Sequence, residues 1–253
     1  MTAPTLPAGY RLIELDEIDS TNEEARRRAA AGDVGPVWIM AHAQTAGRGR
    51  RGREWSSPRG NLMATLLMPP QCAPAQAALL SFVAALAVHD ALCCWVPSER
   101  VRLKWPNDTL VDGRKISGIL LETATAGDRR DLPWLAIGIG INLVHAPALA
   151  SYPATFVNEH GVAPDPLAAL GVLAQAWDLR FRAWQTQGFP AIRAAWLERA
   201  AGLNGMIDVR LPGETISGIF ETIRPDGALE LLCTDGQRRA IAAGEVFFPD
   251  ALR

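Results

Sequence analysis

The chain has 253 residues, 49% of them apolar and 21% charged, with a formal charge of −2 at pH 7. That length allows one large domain plus a small one, and the near-neutral balance excludes a protein-wide positive field for DNA or an anionic membrane. No charged-then-apolar leader opens the chain, the longest apolar stretch (Ala77–Val88) is too short to span a bilayer, and the four cysteines show no metal spacing, so a reduced cytoplasmic setting is expected.

Arg11–Leu15 reads as a first strand. Asp19-Ser20-Thr21-Asn22 then meets Glu23 and Glu24, which predicts a helix capped by Ser20 or Thr21 and stopped at Gly32. Val37–Ala41 and Leu62–Met68 are apolar strands on either side of a basic loop, and Pro74 opens an Ala/Leu-rich helix reaching about Trp95. Val101–Trp105 is a short strand ended by Pro106, with Asn107-Asp108 as a turn. Asp112-Gly113 then makes a hairpin into Ile116–Thr123. Trp134–Asn142 is another strand, and two helices, roughly Pro166–Gln187 and Pro190–Ala201, follow. After Gly202, four or five short alternating segments separated by Pro-Gly, Pro-Asp-Gly and Asp-Gly predict a small β-barrel.

The loop Gln44-Thr45-Ala46-Gly47-Arg48-Gly49-Arg50-Arg51-Gly52-Arg53 interleaves three glycines with four arginines. Glycines let a backbone approach an anion closely, and guanidinium forks grip it bidentately. The same glycines allow the loop to close over a ligand. A second signal is the cation balance: 23 arginines but only two lysines, Lys104 and Lys115. A lysine kept against that bias suits a position needing a compact, three-donor ammonium.

The motifs Asp-Ser-Thr-Asn, Gln-x-x-Gly-Arg-Gly-Arg-Arg-Gly-Arg-x-Trp, Lys-Trp-Pro-Asn-Asp, Gly-Arg-Lys-x-x-Gly-Ile-Leu and Gly-Ile-Gly-Ile-Asn run collinearly from Ile18 to Asn142. In that order they resemble biotin protein ligases. The resemblance implies an α+β fold, with a mixed-sheet, helix-packed catalytic domain of the biotin/lipoyl ligase (class II synthetase) type over 1–203. A C-terminal SH3-like β-barrel over 204–253 completes it. It implies that biotin is activated with Mg·ATP to biotinyl-5′-AMP and passed to a lysine of a biotin carboxyl carrier protein domain. The implied biotin contacts are Ser20, Thr21, Asn22, Gln44, Gly47, Arg48, Gly49, Arg50, Lys115 and Gly118. The implied ATP contacts are Arg48, Arg50, Arg51, Arg53, Trp55, Asn107, Lys115 and Asn142, with Lys115, Arg48 and Arg50 catalytic. Gly118 and Gly138-x-Gly140 would leave flat walls for the biotin bicycle, and the metal ligands stay unassigned.

Plainer roles stand beside these. Ser20–Asn22 also reads as helix capping, Trp55 as core, Asn107-Asp108 as turn chemistry, Asn142 as a strand-end turn, and Lys104 as half of a structural ion pair. A lipoate–protein ligase, a nucleic-acid-binding Arg/Gly module and a non-catalytic adaptor remain as alternatives. Only about ten residues precede the first strand, so no DNA-binding domain is expected there. A homodimer is left open.

Overall fold

The computed structural model describes residues 4–70, 72–124, 132–147 and 152–249. Seven strands form the main sheet: β1 (Arg11–Ile18), β2 (Val37–Gln44), β3 (Leu62–Met68), β4 (Val101–Lys104), β5 (Asp108–Val111), β6 (Arg114–Thr123) and β7 (Leu135–Ile141). Their spatial order is β1-β2-β3-β7-β6-β5-β4. β1 pairs with β2 in parallel, and every other neighbour is antiparallel. The sheet is therefore mixed, as expected.

Its two faces read directly from β2, where side chains alternate by period two. Val37 and Ile39 join Ala25 of α1 (Thr21–Ala30), while Trp38 and Met40 join the larger core under α2 (Pro74–Leu92) and α3 (Pro166–Leu197). On length and composition α2 could cross a membrane. Instead, 72% of its apolar stretch is buried inside the fold. The two expected late helices are two arms of α3, meeting where Gly188 takes φ +71°. Pro190 then falls in the first turn of the second arm, where its missing N–H has no partner to lose.

Capping of α1 differs from expectation. Ser20 occupies the N-cap with extended backbone, but its hydroxyl makes no capping hydrogen bond. The turn before β6 is as predicted: Asp112 and Gly113 both have positive φ (49° and 73°), the pattern of a two-residue hairpin turn. One bulge matters for function. Thr109 pairs with Ser117 and Leu110 with Lys115, so Ile116 is an extra residue on β6. Strict alternation would put Lys115 and Gly118 on opposite faces. The extra residue brings both to the cleft.

The C-terminal strands β8 (Met206–Leu211), β9 (Glu214–Ile223), β10 (Leu229–Cys233), β11 (Arg238–Ile241) and β12 (Glu245–Phe247) form an antiparallel sheet of order β11-β10-β9-β8-β12. β12 is the strand that no sequence pattern singled out. Among the described residues the ladder does not close, since β11 and β12 end it. The expected barrel is thus a five-stranded sheet by its hydrogen bonds. It seats on the main domain through Trp105 Nε1, which donates to Gly227 O at 3.1 Å, and through the edge-to-face rings of Phe82, Trp196 and Phe220.

Candidate active site

One cleft gathers residues from eight places in the chain: the start of α1, the basic loop, β3, the β4–β5 turn, β6, β7, Tyr152, and the start of β12. Of the expected contacts, Ser20, Thr21, Asn22, Gln44, Arg48, Gly49, Arg50, Arg53, Trp55, Asn107, Lys115 and Gly118 line it. Gly47, Arg51 and Asn142 do not.

The polar end is held by a buried network. Gln44 Oε1 accepts from Thr21 N at 2.8 Å and Thr21 Oγ1 at 3.1 Å, while Gln44 Nε2 donates to Ser57 Oγ at 2.8 Å. Thr65 Oγ1 lies 2.6 Å from Asn22 Oδ1 and 2.8 Å from Thr21 Oγ1. With one hydroxyl proton it donates to only one of them at a time. Asn22 Nδ2 donates to Glu122 Oε2 at 2.7 Å. Among the described residues Ser20 Oγ, freed from capping, has no hydrogen-bond partner, and it belongs to the cleft lining. The result is a slot lined by uncharged hydroxyls and carboxamides, backed by the Glu122 carboxylate, with donors and acceptors in place.

The glycine walls are not bare. A Cβ on Gly138 would collide with the Asn22 carboxamide, and one on Gly140 would come 2.5 Å from Trp55 Nε1. Trp55 also covers Gly118. Asn22 and Trp55 therefore lie against these flat stretches of backbone, and Gly118, Gly138 and Gly140 also line the cleft. Gly47 serves packing instead: a Cβ there would meet Trp55 O and lie 2.5 Å from Ser57 Oγ.

The cationic end is denser. Lys115 Nζ is 2.6 Å from Asp108 Oδ1, and Lys104 Nζ is 3.4 Å from Asp108 Oδ2, so one carboxylate holds both lysines of the chain. Lys104 is almost fully buried. It donates to Val246 O at 3.3 Å and sits 3.8 Å from the centre of the Tyr152 ring. Burial pushes its ammonium below the usual lysine range, against the pull of Asp108. Lys115 Nζ lies 5.4 Å from the Trp55 ring. Arg50 Nη1 donates to Asn107 Oδ1 at 3.0 Å, and burial followed by the neighbouring Arg51 charge lowers the Arg50 pKa. Asn107 is itself pinned by donating from Nδ2 to Ile119 O at 2.6 Å.

Two loop arginines face carboxylates. Arg48 pairs with Glu23 and, at 3.5 Å, with Glu122. Arg53 pairs with Glu245 of β12 at 2.8 Å, which ties the loop to the C-terminal sheet. Arg51 points elsewhere, exposed and with φ +57°. Asn142 is buried, donating from Nδ2 to Thr155 O at 3.0 Å, while its Oδ1 has no hydrogen-bond partner among the described residues. Tyr152 and Glu245 were invisible to the sequence reading, because neither sits in a recognisable motif and both arrive from far along the chain. Asp108 was in a motif but not identified as the hub of the lysines.

Among the described residues no group of three or more His, Cys, Asp or Glu could hold a metal. Asp108, the acid deepest in the cationic end, already faces two ammonium groups.

The chain matches the Biotin/lipoate A/B protein ligase family over residues 17–142 and the biotin protein ligase C terminal domain over 202–248. A biotin–[acetyl-CoA-carboxylase] ligase of Paracoccus denitrificans is 46% identical over 246 residues, spanning 92% of this chain and 99% of the relative. The chain belongs to the biotin/lipoate A/B protein ligase family. A second relative in that family, the biotin–[acetyl-CoA-carboxylase] ligase of Mycobacterium tuberculosis, is 33% identical, covering 94% of this chain and 90% of its own length. The biotin protein ligase of Aquifex aeolicus in complex with biotin and ATP superposes with a TM-score of 0.79 at 27% identity, covering 94% of this chain and 97% of that one. The Leishmania major ligase in complex with biotinyl-5-AMP gives 0.65 at 25% identity, with 94% and 100% covered.

Proposed function

We propose that this protein is an ATP-dependent biotin ligase that activates biotin as biotinyl-5′-AMP and transfers it to a lysine of a biotin carboxyl carrier protein domain. The observation that carries the reading is the two-part cleft. A neutral hydrogen-bonding slot (Ser20, Thr21, Asn22, Gln44) runs into a cluster of five cations (Arg48, Arg50, Arg53, Lys104, Lys115). Biotin has that shape: an uncharged ureido head and a carboxylate tail.

In the first half-reaction the biotin carboxylate attacks the α-phosphorus of ATP and pyrophosphate leaves. Two anions must meet, and charge grows on phosphorus as they do. Preorganised cations offset both. Lys115 bridges the carboxylate and α-phosphate, Arg50 braced by Asn107 grips phosphate oxygens, and Arg48 leaves Glu23 and Glu122 to join them. Trp55 offers its indole to adenine. In the second half-reaction an acceptor amine attacks the biotinyl carbonyl, AMP leaves, and the amine loses a proton. Mg²⁺ would come bound to the phosphates of the Mg·ATP substrate, where it would offset their charge.

Residues 1–203 would carry the chemistry, and 204–253 would close the nucleotide side through Glu245 and Val246. The reading needs no membrane, is set in the cytoplasm, and assigns no DNA-binding role to a chain of charge −2. It is compatible with a homodimer. Incubation with Mg·ATP, biotin and a biotin carboxyl carrier domain tests it by mass spectrometry. A single biotinyl adduct on the acceptor lysine is expected; a lipoyl adduct formed in preference when lipoate competes would move the function to the sister activity.

A further inference from the structure

The Lys104–Asp108–Lys115 cluster carries one more ammonium than the chemistry above uses. Both lysines line the cleft, but Lys115 is the open one, with 19% of its side chain exposed against 2% for Lys104. Lys104 reaches Asp108, a backbone carbonyl of the C-terminal sheet and the face of Tyr152, all of them protein groups. Tyr152 keeps its proton, because burial and the nearby Asp108 charge raise its pKa, so it offers Lys104 a neutral π face.

A lone Lys115–Asp108 pair would be electrically neutral. It would have little attraction for an oxyanion, and drawing Lys115 away would leave a buried carboxylate uncompensated, which proteins avoid. Adding Lys104 gives two cations to one anion. The cluster then has net charge +1 to offer a ligand, and Asp108 keeps a partner when Lys115 turns.

We propose that Lys104 is a positioning residue that holds the charge of Asp108, so that Lys115 is released to the substrate oxyanions. The proposal rests on the biotin-adenylating reading of the same cleft. Lys104 itself touches no substrate in this account, and its action passes through Asp108.

The experiment measures biotin-dependent pyrophosphate release for wild type, Lys104→Met, Asp108→Asn and the double variant. Lys104→Met should lower kcat roughly 10- to 100-fold in the wild-type background, less than the ~10²–10³-fold of a direct charge-stabilising contact because Lys104 acts through Asp108. In the Asp108→Asn background, where no carboxylate needs holding, the same change should cost less than about threefold, since coupling is expected only where the partner remains. Equal losses in both backgrounds would overturn the proposal, since a direct substrate contact or a purely structural role would survive loss of the carboxylate. Absence of release by the wild type would instead overturn the adenylation reading, and the proposal with it. That outcome is separable because it is read on the unmodified enzyme.

Should Lys104→Met fail to fold, the lysine count supplies a second test. Labelling lysine Cε with ¹³C gives two side-chain signals, because the chain has only Lys104 and Lys115. Adding biotin and Mg·ATP should shift both signals in the wild type but leave the Lys104 signal in place in Asp108→Asn. A Lys104 signal that is unmoved in the wild type, or that moves equally in both proteins, would contradict the proposal.

Discussion

Lys115 Nζ stands 2.6 Å from Asp108 Oδ1, so the ammonium is held in the cleft by a carboxylate that it shares with Lys104. Replacing Lys115 by Ala should reduce biotin-dependent pyrophosphate release on the order of 10²–10³-fold, the usual loss for one charge-stabilising contact. The fold should survive, because Asp108 keeps Lys104 and the Lys115 side chain is partly exposed. Arginine should restore little, since a planar fork does not replace a point charge between two oxygens. Near-normal release by the Ala variant with an unchanged melting curve would remove Lys115 from the mechanism.

Gly138→Ala addresses the other end of the cleft. The new methyl would strike the Asn22 side chain and break its contacts with Thr65 and Glu122. We expect KM for biotin to rise at least about tenfold, a fall in stability of about 1–3 kcal/mol from overpacking, and a smaller change in kcat. Steady-state kinetics with biotin varied at saturating Mg·ATP checks this. An unchanged KM would mean that Asn22 does not shape the slot.

The Arg53–Glu245 pair joins the basic loop to β12. Its Arg53 side chain is 53% exposed, so breaking it with Glu245→Ala should change stability by no more than about 1 kcal/mol. The effect should show instead in the loop: faster trypsin cleavage across Arg48–Arg53 in the free enzyme, with protection by biotin plus Mg·ATP. Equal cleavage rates for wild type and variant would show that the C-terminal sheet does not restrain the loop.

His160 predicts a pH dependence of stability. Arg100 Nη2 donates to its Nδ1 at 2.9 Å, and its Nε2 faces Thr155 Oγ1 at 2.7 Å, an arrangement that needs a neutral ring. Burial, then the charges of Arg100 and Arg114, lower its pKa below the ordinary 6.5, against the pull of Asp112 and Glu159. The unfolded chain therefore binds the proton more readily. The stabilisation is complete above pH 6.5 and is lost as pH falls below it towards the folded-state value. Denaturant midpoints between pH 5 and 8 should show this slope in the wild type and a flatter one in His160→Gln. Identical slopes would remove the assignment.

The sequence carried the order of elements, the loop and the hairpin, because each rests on local signals: period-two alternation in β2, Pro74 opening α2, Asp112-Gly113 turning into β6. It also carried most of the cleft, since its residues cluster in motifs beside those turns. What it could not carry was long-range partner choice. Arg48 meets Glu23 and Glu122, Arg53 meets Glu245, and Lys104 meets Tyr152 only through tertiary packing. The Ile116 bulge was hidden for the same reason, because register belongs to a strand pair and not to one strand. Gly138 and Gly140 line the cleft as walls, and the packing of Asn22 and Trp55 against them was not legible in the sequence.

Pyrophosphate release with Mg·ATP, comparing biotin, lipoate and no acid, tests the central claim most directly. The two-part cleft predicts release with biotin, little with lipoate and none without an acid. Release that favours lipoate, or none with either acid, would contradict it.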